Sequence, residues 1–163
     1  MKRLICIFFL LLFLAGCQGQ KDNVQVPANF YYVQSEITLD GATNAVLSEV
    51  RECCDCGGDL KSMVGLYLSG PLSPELRSPF PAGTQVLEIS QEESTIYLKL
   101  NAAYAELKGY NLTSANYCLA RTLLEYTGAS TLQIDAENEE LIITYSAQFH
   151  LEDFLISDTT IAN

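Results

Sequence analysis

Basic side chains are scarce in this chain: nine Lys and Arg stand against twenty Asp and Glu, giving a formal net charge of −11. Proteins grip phosphate backbones with clustered Lys and Arg that displace counterions, so nucleic acid is not an expected ligand. Histidine is rarer still, with His150 alone. That single residue rules out an HExxH zinc helix. No GxSxG turn supplies a serine nucleophile and no glycine-rich phosphate loop occurs. His150 therefore reads as a surface or satisfied core residue rather than a general base. Two CxxC pairs, the usual four-cysteine zinc arrangement, are missing as well. After residue 14 no apolar run is long enough to cross a bilayer, and no repeat or low-complexity block interrupts the chain.

What is present begins with Lys2 and Arg3 ahead of an unbroken apolar run, Leu4 to Leu14. A spanning helix needs roughly 20 apolar residues, whereas a basic start and a run of about 7–15 is the form of a secretory signal. Residues 1–16 are read as that signal. Leu14, Ala15, Gly16 and Cys17 resemble the bacterial lipobox, which implies cleavage before Cys17 and a diacylglyceryl group on its sulfur; the plainer alternative is an ordinary signal peptide with a chance cysteine. Acyl chains contribute about 0.8 kcal/mol per buried methylene, and two of them hold a protein stably where one is marginal. Loss of Lys2 and Arg3 with the signal moves the net charge from −11 to −13. So acidic a body gains nothing from an anionic membrane surface, and attachment rests on the lipid. The expected location is the outer face of the plasma membrane.

Residues 17–29 are polar, contain one proline and lack periodicity, as suits a tether. A domain is expected over 30–146, followed by a tail over 147–163. Phe30 to Val33 and Ala45 to Val50 have strand composition and flank the turn dipeptide Asp40-Gly41. Asp59 is a candidate N-cap for a helix over 60–69, with Leu60, Met63, Val64 and Tyr67 at helical spacing and Gly70-Pro71 as the stop. Residues 71–84 hold four of the five prolines, too many for helix or central strand, and read as an ordered loop. Alternation over 86–90 and 95–100 predicts a hairpin turning at Gln91 to Glu93. A second helix is predicted from Thr113 or Ser114 to Gly128, and Leu132 to Tyr145 forms two further strands around Glu137 to Glu139. Small antiparallel sheets with two main helices on one side make an α+β fold.

The cysteines are the first candidates for chemistry. In an extended segment Cys54 and Cys56 share a face and Cys53 points away, so only two thiolates converge easily. Three readings stay open for Cys53, Cys54 and Cys56: thiols without a task, at least one disulfide that could draw in Cys118, or a soft-metal site in a loop curled by Gly57-Gly58. The third would make the chain a ligand or metal receptor. Redox catalysis ranks lower, because these cysteines precede the predicted helix start. Asp135, Glu137, Glu139 and Glu140 imitate the opening of a calcium loop but lack its glycine and closing glutamate, so no metal or cofactor is expected there. The second candidate is a surface: Leu72, Leu76, Pro79, Phe80 and Pro81 would bind a partner at little ordering cost if they stand on a rigid loop. The alternative is that Leu76 and Phe80 plug the core.

Leu66-Tyr67-Leu68, Gly70-Pro71, the run SPFPAGT from Ser78 to Thr84, the alternating hairpin and the Ala115 to Thr127 helix together resemble the GerMN domain, first named in a sporulation and spore-germination lipoprotein. The likeness is strongest over residues 60–136, and LEDFLISD at 151–158 resembles an ending common in single-domain lipoproteins of clostridial-type bacteria. The resemblance implies an α+β body similar to ring-building modules. It further implies a non-enzymatic, lipid-anchored envelope protein that acts on a protein partner or on another copy of itself in sporulation, germination or envelope assembly. The sporulation type carries two such domains in tandem, and this chain has room for one.

Overall fold

The computed structural model describes residues 26–35, 46–53, 59–138, 142–150 and 152. In chain order its elements are β1 (Val26–Gln34), β2 (Val46–Cys53), α1 (Leu60–Leu68), β3 (Leu76–Arg77), β4 (Val86–Glu92), β5 (Thr95–Leu100), α2 (Ala102–Ala105), α3 (Gly109–Thr127), β6 (Thr131–Glu137) and β7 (Ile143–His150). They form a three-stranded sheet in the order β2-β1-β3 and a four-stranded sheet in the order β4-β5-β6-β7. The α+β class follows.

The core lies on one face of the four-stranded sheet. Ile96, Leu98 and Leu100 alternate inward from β5, and Leu132, Ile134 and Ala136 from β6. Against them pack Met63, Val64 and Tyr67 of α1 and Ala115, Leu119, Leu123 and Leu124 of α3. Period two on the strands and period 3.6 on the helices thus aim the apolar stripes at one another. On the other face Tyr97 is exposed, and Lys99 forms ion pairs with Glu88 at 3.4 Å and Glu137 at 3.1 Å.

Several boundaries differ from expectation. β1 starts at Val26, so the last residues assigned to the tether belong to the sheet, where Val26 to Asn29 pair with Cys53 to Val50. Pro27 is tolerated because β3 pairs only with Val33 and Gln34, leaving β1 with one neighbour at the proline. α3 starts at Gly109, about a turn early; Gly109 has φ +56°, which lets the chain turn into the helix. α2 was not foreseen. At the other end of α3, Gly128 caps in the left-handed region and its N–H reaches Leu124 O, as the sequence predicted. The 86–100 hairpin turns at Glu93-Ser94, with Glu93 at φ 52°. β7 runs to His150, so residues 147–150 are strand rather than tail. Asn138 closes its turn with N–H to Ile142 O and Oδ1 from Ile142 N, both at 2.9 Å.

The sheets are not wholly antiparallel. β5 and β6 run parallel in register from Thr95↔Thr131 to Leu100↔Ala136, because α2 and α3 carry the chain back to the start of the sheet. Helical crossovers are what parallel neighbours require. α3 also packs along β1, where Thr122 Oγ1 accepts the Tyr31 N–H at 3.0 Å and Glu125 accepts the Tyr31 hydroxyl. A backbone donor left over where β3 is too short is thereby satisfied by a buried threonine.

Candidate interaction surface

The loop between α1 and β4 is fixed at both ends and in its middle. Asp59 starts the segment by accepting Lys61 N–H at 3.1 Å, the N-cap that the sequence indicated. After α1 the chain crosses the edge strand β2, where Glu49 and Arg51 share a face. Glu49 accepts the N–H groups of Leu72 and Ser73, the shorter contacts at 3.0 and 2.8 Å, and forms an ion pair with Arg51. Arg51 donates to Gly70 O at 2.6 Å and lies 5.4 Å from the ring centre of Phe30 and 5.8 Å from that of Tyr32. Burial acts to raise the Glu49 pKa; the Ser73 N–H, the Arg51 guanidinium and the Leu72 N–H outweigh it and hold the carboxyl below the ordinary value. Further on, Ser35 N–H reaches Glu75 O at 2.8 Å, and Asn101 spans Gly83 O and Gln85 N. The expectation of an ordered loop is met.

Its apolar residues divide. Leu76, Pro79 and Phe80 are buried, and Pro81 is half-buried. Phe80 meets Tyr67 edge-on at 5.2 Å between ring centres and Tyr104 at 6.4 Å, and Tyr67 in turn lies 5.2 Å from Phe30 and 5.1 Å from Tyr32. The core-plug reading therefore replaces the surface reading for Leu76, Pro79 and Phe80. An aromatic ring excluded from water in this way stabilises the fold and presents little to a partner. Leu72 is the opposite case, with 79% of its surface exposed on a backbone that Glu49 holds in place. Leu66 on the adjoining end of α1 is also exposed. Beside them, Lys61, Gly65, Leu68, Ser69, Thr84, Gln85 and Val86 line an open groove of about 330 Å³.

The other sequence candidates fall elsewhere. Cys118 is a free thiol in the core, pushed up to about 12 by burial, which makes it a poor nucleophile. Cys53 ends β2 opposite Val26, while Cys54, Cys56 and the lipidation candidate Cys17 lie outside the described residues. Among the described residues no cluster of His, Cys, Asp and Glu could hold a metal ion, and no helix is long and apolar enough to cross a membrane. His150 Nδ1 lies 3.2 Å from Thr131 Oγ1 on the sheet. Asp135 accepts from Gln133 and Glu137 pairs with Lys99; Glu139 and Glu140 are outside the described residues. Buried Tyr104 donates to Asn116 at 2.7 Å, and Asn116 donates to Tyr145, a satisfied chain that joins α2, α3 and β7.

Sequence reading missed Glu49 and Arg51. Their signal was the alternation itself: opposite charges two apart on a predicted strand face the same way and can pair.

Comparison with known proteins agrees with this architecture. No curated protein matches the chain. Among solved structures, the tandem GerMN domains of the sporulation protein GerM from Bacillus subtilis superpose with a TM-score of 0.54 at 13% identity, covering 81% of this chain and 49% of that one. The chain thus spans about half the length of the tandem structure, and at this identity the likeness concerns the fold. A candidate lipoprotein from Clostridium perfringens aligns with a TM-score of 0.45 at 14% identity, over 79% of this chain and 89% of the other. The model of the Germane family, described as sporulation and spore germination, matches residues 18–142. With that match running over most of its length, on an α+β body of the GerMN type, the chain belongs to the Germane family of sporulation and spore-germination domains.

Proposed function

We propose that this protein is a lipid-anchored docking module on the outer face of the plasma membrane, serving sporulation or germination by binding an envelope protein rather than by catalysis. The observation that carries the reading is Leu72, an apolar side chain left 79% exposed on a backbone fixed by Glu49. Exposed apolar groups on ordered segments are what a partner can cover without first freezing a loop. Leu66 and the groove beside α1 extend that surface. The lipobox-like Cys17 supplies the anchor in this reading, and the family's place in sporulation and germination supplies the setting. The titratable groups of the clamp are engaged in holding the loop, which suits a rigid presenter.

The test is recovery of crosslinked partners from membranes of sporulating cells that carry the wild-type chain, Leu72→Asp or Cys17→Ala. Leu72→Asp is expected to remain in the membrane fraction and lose its crosslinked partner. Cys17→Ala is expected to leave that fraction and to lose acyl labelling. An unchanged set of crosslinks in Leu72→Asp would remove the docking role from this loop.

A further inference from the structure

The sheets present four outer strands, and three of them carry the features that discourage pairing with another chain. β2 holds Glu49, Arg51 and Glu52. β3 has two residues. β4 carries Glu88 and Glu92, is irregular in register at Val86/Glu88, and is bridged to α1 by Lys61 Nζ donating to Leu87 O at 3.1 Å. Charge, brevity, bulges and covering elements are the known means of blunting an edge. β7 has none of them: its eight residues, ITYSAQFH, include no Asp, Glu, Lys, Arg or proline. Among the described residues it is the last strand of its sheet. Ile142 and Ile143, where it begins, are 55% and 49% exposed.

We propose that the outer edge of β7 over Ile143–Gln148 pairs antiparallel with the same edge of a second copy of this chain, joining the two four-stranded sheets across a two-fold axis. Charge selects that occupant. A basic partner would find no carboxylate on Ile143–Gln148 to pair with, although the chain carries twenty acidic residues. Two copies, each at −11, repel as bodies, and they approach at least cost where a strand edge brings no charge against its own image. Main-chain hydrogen bonds supply the attraction in strand addition, and an antiparallel pair of identical edges closes on itself as a dimer. Pairing also takes Ile142 and Ile143 out of water. This interface is separate from the Leu72 loop and stands or falls without it.

Sedimentation equilibrium of the full chain, in detergent micelles held in large excess over protein, tests the idea against Ile143→Lys/Gln148→Lys. Both replaced side chains are exposed. The wild type is expected to show a reversible monomer–dimer equilibrium that tightens as salt screens the acidic bodies. The double variant is expected to weaken it by about tenfold or more, since like charges are set across the new strand pair. A wild type that stays monomeric, or a variant that dimerises as tightly, overturns the proposal. Hydrogen exchange of the wild type decides the matter if the variant does not fold: amides over 143–148 are expected to gain protection with concentration while those of β2 do not. Protection independent of concentration overturns it equally.

Discussion

Two regions of the molecule are held in opposite ways. Where α3 lies on the four-stranded sheet, the contact is made by Leu119, Leu123 and Leu124 against Leu98, Leu132 and Ile134, all buried and none titratable. Where the loop after α1 crosses the three-stranded sheet, the contact is made by the carboxylate of Glu49 and the guanidinium of Arg51 on backbone groups of Gly70, Leu72 and Ser73. The first region derives its stability from apolar burial, which is indifferent to pH. The second derives its shape from charge-assisted hydrogen bonds, which fix geometry and depend on protonation. A docking module needs both: a body that stays folded, and a loop whose exposed Leu72 stays where a partner can find it.

The comparison breaks most readily in the body. Leu119→Ala opens a cavity in the core and is expected to cost about 2–5 kcal/mol in urea unfolding. Protection of the Leu72 and Ser73 amides from hydrogen exchange should persist in whatever fraction remains folded. Arg51→Met removes the buried cation instead and is expected to cost about 3 kcal/mol, the low end for a broken buried pair, because Glu49 keeps two N–H donors. Its distinguishing mark is local: the 70–73 amides should exchange faster while those of α3 hardly change. If the two variants loosen the same amides, the two regions are one unit and the distinction fails.

Acid sharpens the contrast. The Glu49 carboxyl has a lower pKa folded than unfolded, so between the two values the unfolded chain binds the proton more readily. Its contribution is therefore complete above the ordinary value of 4.5 and is lost as pH falls through the depressed folded value. The melting temperature of the wild type should drop more steeply below that pH than that of Glu49→Gln, which has no such carboxyl to protonate. Parallel curves would show that Glu49 does not carry the effect. The smallest expected change in stability is that of Leu72→Asp, within about 0.5 kcal/mol as for other exposed sites. A large loss there would mean that Leu72 belongs to the core after all.

Much of the fold was legible because its signals are local. Asp59 announces α1 and Gly128 ends α3, since a side-chain acceptor and a residue free to adopt positive φ act within one turn. The alternation of Ile96, Leu98 and Leu100 shows which face of β5 is buried. The parallel pairing of β5 with β6 was not legible, because alternation reports which face is buried and is silent on which strand lies alongside. The start of α3 was missed because the first turn, Gly109 to Leu112, carries no capping side chain. For the candidate surface, composition picked out the proline loop but could not separate Leu72 from Phe80, both apolar and eight positions apart.

The sequence by itself determined the acidic character, the α+β class, the signal-like start with Cys17, and the likeness to a sporulation and germination family. Only the tertiary structure decided which loop residues face water, that Glu49 and Arg51 fasten the loop, and that β7 is left as an uncharged outer strand. The reason is one of range. Caps, turns and periodicity act between neighbours in the chain, whereas burial and edge position depend on segments brought together from far apart in it.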